Sequence, residues 1–485
     1  LRDCLVRAHE LSLLSDPSPL VVACLQRLLA AIAQDIFRPA SVLPLAKLIQ
    51  SGVFPEPAVD AFGEQYAPRF DLFSENEPFL QTGDIQPAVP TRKGDAKTVA
   101  YLFPEEPSAT NINHFFHRYD DESQYSPATA ATGLITMSAF AIAGGAGIKP
   151  SINGVPPLYV LPFGENLFET IAYSIVTSEY QPPARDRDND RPAWRRDTSI
   201  KRSEVVEEVG YLDSLTFPAR RVRLFPERTP GYCSRSGEFS DVLVRRMVFE
   251  MGWSRPKEAE FWRDPFAAYR RPDPEKPPTP VRPQEGKALW REFGTLFQTQ
   301  PGNEFGATVV EQMANLAQYG VGLGQERRFR CIGLRTDMKA KIFEWVDDSL
   351  NVPTGLLGDD AGYGAVTTAI ERAEAWNRRV TQLHGHHYLG DDYRSLRERM
   401  RANYWVLLAT PFRQFVAAAA TEWQAALNDW SNQLFDTGEQ VLNEAIDAAG
   451  DRGEALKQRA EALTEYRIAR ASQRTKWEQA DGSND

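Results

Sequence analysis

Behind Pro353-Thr354-Gly355 the chain becomes a succession of apolar stripes, which narrows the fold more than any other feature. Val366, Ile370, Ala373, Trp376, Val380 and Leu383 step by three and four, the spacing that places them on one face of an amphipathic helix. Leu396, Met400, Tyr404 and Leu407 make a second stripe. Ala419, Trp423, Leu427, Trp430 and Leu434 make a third that runs on to Ile446, and Leu456, Ala460, Leu463 and Tyr466 a fourth. The connections are short, at 384–392, at or just past Pro411-Phe412, and at 450–453. Four such helices predict an up-down bundle over 356–485.

At 485 residues the chain exceeds one ordinary core, so a second domain is expected over 1–355. Its texture is mixed. Apolar helices are predicted near 19–37 and 127–142, a buried strand at Leu158-Tyr159-Val160-Leu161, and alternating strands between Leu215 and Val248. The expected fold class is therefore α+β: a mainly helical N-terminal globular domain with short strands, followed by the four-helix bundle. The stretch 272–283 carries Pro272, Pro274, Pro277, Pro278, Pro280 and Pro283 and reads as a semi-stiff loop without regular structure.

The stretch with most bearing on function is Gly144-Gly145-Ala146-Gly147, followed by Lys149 and Ser151-Ile152-Asn153-Gly154. Backbone with almost no side chain over it can take positive φ and let another polymer approach its N–H groups. It is not a nucleotide P-loop, because Ile148 separates the last glycine from Lys149 and Pro150 removes the next N–H. A phosphate backbone or groove edge suits it; a plain tight connector between helix and strand fits the same residues.

The net charge of −11 argues against wholesale coating by nucleic acid, but between Arg185 and Arg271 nineteen Lys/Arg face fifteen Asp/Glu. All but Lys201 and Lys257 of these cations are arginine, which suits bidentate contact with phosphate or base; a solvated charged surface is the plainer reading. Cys4, Cys24, Cys233 and Cys331 lie far apart, give no disulfide framework, and fit a reducing cytoplasm. The apolar run Leu20–Ala33 is broken by Gln26 and Arg27, is too short to span a bilayer, and follows Ser18-Pro19, so a buried helix is expected and no membrane partner. The chain shows no signal peptide and opens within a helix-like stretch without Met, so residues ahead of Leu1 are expected.

Three further clusters carry candidate chemistry. His114 and His117 with Asp120 could serve a metal-dependent phosphohydrolase, although metal sites of that kind need three or more ligands on rigid elements. Phe115 and Phe116 beside them offer faces for base stacking. His384, His386 and His387 lie in a glycine-containing turn and read as solvated. Thr336-Asp337-Met338-Lys339 is a polar excursion after the apolar Cys331-Ile332-Gly333, either a surface hairpin or a probe with Met as a wedge between base pairs.

Taken together, the residues resemble the large subunit (CasA family) of the type I-E CRISPR Cascade surveillance complex. The segments that carry the resemblance are Asp71-Leu72-Phe73, Glu77-Pro78-Phe79-Leu80-Gln81-Thr82, Ser108-Ala109-Thr110-Asn111, Gly144–Gly147, Leu167-Phe168-Glu169-Thr170, Leu215-Thr216-Phe217-Pro218-Ala219 and the C-terminal helices. The resemblance implies a non-catalytic subunit without cofactor. Such a subunit reads the protospacer-adjacent motif in double-stranded DNA, mainly from the minor groove, helps open the duplex, and docks a helicase–nuclease. It implies a glycine loop at Gly144, Gly145, Ala146 and Gly147, a groove-reaching basic finger at Arg270 and Arg271, and a wedge at Asp337, Met338 and Lys339. It also implies a loop over Asn113, His114, Phe115, Phe116 and His117 that meets the guide RNA and neighbouring subunits. Two departures stand out. Met338 occupies the place of the wedge glutamine, and of a Cys-rich zinc site in some relatives only Cys233 remains, so no metal is expected.

Overall fold

The structure is a computed structural model that describes residues 1–90, 95–106, 123–143, 147–183, 189–256, 259–297, 304–322, 326–337, 341–383, 393–448 and 453–482. The chain is a mixture of helix and sheet with a helical C-terminal region. It divides into two compact units, one of 1–285, 295–323 and 327–350, the other of 286–294, 324–326 and 351–485. The second unit thus takes in 286–294, which reading along the chain assigned to the first domain.

The first unit is built on the helix Pro19–Phe37, with Ser18 extended at its N-cap and Pro19 at its first position. By length and composition it could cross a membrane, yet nearly every face of it is buried inside the unit. Its two polar breaks are satisfied internally. Gln26 donates to the Pro162 carbonyl at 2.6 Å and to Ser174 Oγ at 2.9 Å. Arg27 forms a bidentate pair with Asp264 at 3.1 and 2.9 Å, both side chains fully buried.

Among the described residues there are three three-stranded sheets and one two-stranded sheet, the latter of Gly231–Tyr232 and Phe239–Ser240. In the first, Leu243–Met251 lies between Lys97–Thr98 and Arg220–Glu227, both antiparallel to it. The other edge of Arg220–Glu227 is covered by the Gln81-Thr82 segment: Thr82 N donates to Val222 O at 2.9 Å, and Gln81 Oε1 accepts from Leu224 N at 2.8 Å. That cover satisfies a strand edge that would otherwise offer open hydrogen-bonding groups. In the second sheet, Glu326–Thr336 runs between Ile342–Pro353 and Tyr159–Phe163. In the third, Tyr269–Arg270 pairs with Thr279–Pro280 and Glu304–Phe305. This corrects the expectation that 272–283 lacks regular structure, since Thr279–Pro280 is a short outer strand, where a proline is tolerated.

The second unit holds helices Asp360–Val380, Tyr393–Ala448 and Gly453–Gly482. Pro411 does not interrupt the long helix; the non-helical residue is Glu422, at φ −138° and ψ 68°. The turn across Pro411 is held by Phe412, which is buried and stacks on Trp290 at 4.6 Å. Trp423, beside the break, is half-buried, so it is not the core anchor that the third stripe implied. Leu407 is exposed and Leu408 buried; Ala460 is exposed and Leu463 half-buried, while Ala462, Tyr466 and Ala469 are buried. The core gathers on Trp376, whose ring meets Phe435 at 4.9 Å and Tyr466 at 5.4 Å. His384, His386 and His387 lie outside the described residues.

Candidate nucleic-acid interface

The strand Tyr159–Phe163 organises the site, because each candidate element leaves the same end of it. Its register with the neighbouring strand pairs Arg328 with Phe163 and Ile332 with Tyr159, antiparallel. Residues 333–337 therefore run on past Tyr159, carrying the turn that starts at Asp337 about 17 Å further at ordinary strand rise. At that turn Asp337 N donates to Lys341 O at 3.1 Å and the Asp337 carboxylate accepts from Lys341 N at 3.0 Å. On the other side Val160 N donates to Phe266 O at 2.7 Å and Tyr159 bridges Ala267 in antiparallel sense, so the chain toward Arg270 heads the same way. Leu158 N donates to Val281 O at 2.8 Å, and Arg282 Nε donates to Val155 O at 3.1 Å, which seats the proline-rich segment there too.

In the chain, residues 142–143 and 147–150 lie between the helix Pro127–Phe140 and this strand. The base of this excursion is closed by Ser151, whose N donates to Ala141 O at 2.9 Å and whose Oγ donates to Ser138 O at 2.5 Å. Asn153 Nδ2 donates to Asp264 Oδ2 at 2.9 Å, which ties the polar run to the buried Arg27–Asp264 pair. Gly147 is exposed at φ +81°, where a side chain would be strained although space for it is open. Lys149 is exposed; its backbone N lies 3.2 Å from Met251 Sδ and its Nζ 3.4 Å from Ser254 Oγ.

Arg220, which the sequence reading left unremarked as one position of an alternating strand, spans the excursion. Its Nη1 donates to Lys149 O at 2.8 Å and to Ala219 O at 2.8 Å, and its Nη2 donates to Ile142 O at 2.5 Å. Its guanidinium is buried and lies 5.8 Å from the Phe249 ring centroid. Burial pushes its pKa down to about 10, so it stays charged at neutral pH. No sequence signal marks it, because backbone carbonyls have no residue type.

The other sequence-predicted residues fall as follows. Arg270 is half-buried and held within the chain, with Nε donating to Glu304 at 2.9 Å and Nη2 to Thr295 Oγ1 at 2.5 Å. Arg271 is half-buried, its guanidinium 5.3 Å from the Phe305 ring centroid. Gly144, Gly145, Ala146, Met338, Lys339 and the whole of Asn113, His114, Phe115, Phe116, His117 and Asp120 lie outside the described residues.

Much of the arginine-rich middle is engaged internally: Arg195 with Asp35 at 2.7 Å, Arg196 with Asp213 at 3.0 Å, Arg221 with Glu250 and Asp84 at 2.7 Å, and Arg263 with Glu311 at 2.6 Å. Arg235 pairs with Glu105 and Glu106 at 2.8 Å. These guanidiniums hold carboxylates of their own chain, which differs from both the phosphate-binding and the solvated readings. Cys233 is buried, with its sulfur 3.3 Å from Thr129 Oγ1. Among the described residues no group of three or more His, Cys, Asp or Glu side chains is placed to hold a metal.

The family model for CRISPR-associated protein Cse1 matches residues 1–441. The chain is 27% identical over 460 residues to the CRISPR-associated protein CasA/Cse1 of Thermus thermophilus, covering 88% of this chain and 85% of that one. Two solved structures share the fold. CRISPR-associated protein Cse1 from Acidimicrobium ferrooxidans matches with TM-score 0.80 at 22% identity, over 98% of this chain and 94% of that one. A chain of a CRISPR RNA-guided surveillance complex matches with TM-score 0.73 at 19% identity, over 97% and 94%. With the family model spanning nearly its whole length, the chain belongs to the CRISPR-associated Cse1 family, that of CasA, the large subunit of the type I-E Cascade surveillance complex.

Proposed function

We propose that this subunit recognises the protospacer-adjacent motif in double-stranded target DNA, helps open the duplex for pairing with the guide RNA, and docks a helicase–nuclease without catalysing a reaction itself. The observation that carries this reading is the convergence at one end of the Tyr159–Phe163 strand. The strand Glu326–Thr336 toward Asp337 and the chain toward Arg270 and Arg271 both run out past Tyr159, the end at which the chain from Gly147 to Leu158 enters. Small residues admit a backbone or groove edge, an exposed Lys149 adds a cation, and a hairpin tip at Asp337, Met338 and Lys339 supplies a wedge. Base pairing with the guide would carry sequence, leaving the protein a short motif and the backbone. The loop over Asn113–His117 is assigned to guide RNA and neighbouring Cascade subunits, and the C-terminal helices to an up-down four-helix bundle. The site of action is the cytoplasm.

Competition binding of the reconstituted, guide-loaded complex tests this reading, using duplex targets that differ only in the adjacent motif. The expected result is a preference of tenfold or more for one motif, lost when Gly145 is replaced by Asp. Equal binding to all motifs by a complex that still pairs its guide would overturn it.

A further inference from the structure

We propose that Arg220 is a positioning residue for motif recognition: its buried guanidinium joins the carbonyls of Ile142 and Lys149 and so sets the separation of the two chain segments that enter and leave the glycine-rich excursion. The inference rests on the DNA-recognition reading for its consequence, but the brace itself stands on geometry.

Arg220 is the first residue of the strand Arg220–Glu227 and lies opposite Met251 in the register. It therefore enters from a sheet element and not from the excursion itself. One guanidinium face reaches Ile142 O at 2.5 Å and the other reaches Lys149 O at 2.8 Å, so a single rigid fork sets both ends. A guanidinium is suited to this because its donors are fixed in one plane, whereas an ammonium is a point donor. Both carbonyls belong to residues on either side of the glycine run, and each hydrogen bond to a charged donor is stronger than a neutral one.

The strand is itself held in place. A Cβ built at Gly252 would lie 2.1 Å from Pro218 O and 3.0 Å from the backbone N and C of Arg220. Gly252 N donates to Ala219 O at 3.2 Å. The return strand thus passes directly over the backbone from which the brace projects. No carboxylate pairs with Arg220 among the described residues, and burial is the sole cause of its lowered pKa. A buried cation without a carboxylate partner depends on the carbonyl dipoles that it meets, and its burial is costly unless those hydrogen bonds are kept. Here the carbonyl partners are the ends of the excursion.

The test compares wild type with Arg220→Gln and Arg220→Lys in the reconstituted, guide-loaded complex, with two readouts. The first is hydrogen–deuterium exchange in peptides spanning 141–151. Exchange is expected to rise several-fold in Arg220→Gln while peptides over 159–163 stay as in wild type. The second is motif preference by competition. It is expected to fall about tenfold in Arg220→Gln, with binding to duplex lacking the motif changed less than twofold, and to recover in part in Arg220→Lys. A Gln variant that assembles and keeps wild-type exchange over 141–151 overturns the inference. So does one that exchanges faster yet keeps the full motif preference of a discriminating wild type. If wild type itself shows no motif preference, the exchange readout still decides the brace, and it is the functional reading that fails. Should the Gln variant not fold, the Lys variant, which keeps the charge and one donor arm, decides by the same two measurements with intermediate changes expected.

Discussion

Arg27 and Arg220 are both buried guanidiniums of the first unit, yet they are balanced in different ways. Arg27 stands in the middle of the core helix, faces Asp264 through two hydrogen bonds, and lies over Tyr159 at 4.5 Å and Phe266 at 5.1 Å. Arg220 stands at a strand end, has no carboxylate partner among the described residues, and donates to three carbonyl oxygens, two of them from the flanks of one loop, with Met251 Sδ at 3.9 Å. A carboxylate partner compensates a buried charge fully and ties two elements that must not part. Carbonyl partners compensate it partially and leave positive charge behind the segment they hold. The first arrangement suits a core, and the second suits the base of a loop meant to meet an anion.

The comparison breaks most readily at the core pair. Asp264→Ala would leave Arg27 buried without its partner and release Asn153 as well, with an expected loss of about 3–5 kcal/mol. Denaturant unfolding of the intact chain measures it, followed by a signal from the first unit. Arg220→Met should lose less, about 1–3 kcal/mol, since what remains is unsatisfied carbonyl groups and not an unpaired charge. If the two variants lose equal stability, Arg220 is a core element of the same rank and the contrast between the sites disappears.

An effect of similar size is expected from Gly252→Ala. The added methyl meets backbone atoms that cannot move as a flexible side-chain tip would, and the overpacking should amount to about 1–3 kcal/mol. Because the displaced backbone is that of Pro218–Arg220, exchange over 141–151 should rise with it. A variant that loses stability while leaving that exchange untouched would separate the strand from the brace.

Much of this architecture was legible in the sequence, for reasons that are local. Ser18-Pro19 ahead of an apolar run fixed the start of the core helix, and the four apolar residues at 158–161 marked the central strand. The polar run at 336–339 was readable at its near edge, where the strand Glu326–Thr336 ends and Asp337 N donates to Lys341 O at 3.1 Å. What could not be read were features set by partners distant in sequence. Pro411 looks like a helix end, but the stack of Phe412 on Trp290 carries the helix through it. In the last helix, alanines on several faces make neighbouring stripes nearly equivalent, so packing and not periodicity chose Ala462 and Ala469 over Ala460. The resemblance implied a groove-reaching finger at Arg270; Glu304, thirty-four positions away, gives it a partner within the chain. The excursion itself was plain from its glycines, while the residue that holds its base was invisible.

The finest distinction concerns which cation near the excursion answers to DNA. Lys149 is exposed, and its ammonium lies 3.4 Å from the Ser254 hydroxyl, a weak competitor for a phosphate. Arg270 holds Glu304 at 2.9 Å, and to contact DNA it would have to give up that pair and its bond to Thr295. Neutralising one phosphate contributes about 0.9 to the slope of log affinity against log salt on B-form DNA. Lys149→Ala should therefore flatten the salt dependence by about one while leaving motif preference nearly intact, since a phosphate contact carries little sequence information. Arg270→Ala should leave the slope where it is and lower the stability of the Tyr269–Arg270 sheet by about 1 kcal/mol at most, the range of partly exposed ion pairs. Binding measured across a salt series for both variants settles the assignment. A slope that falls with Arg270→Ala and not with Lys149→Ala would return the groove-reaching role to the arginine, and would mean that Glu304 releases it when the duplex arrives.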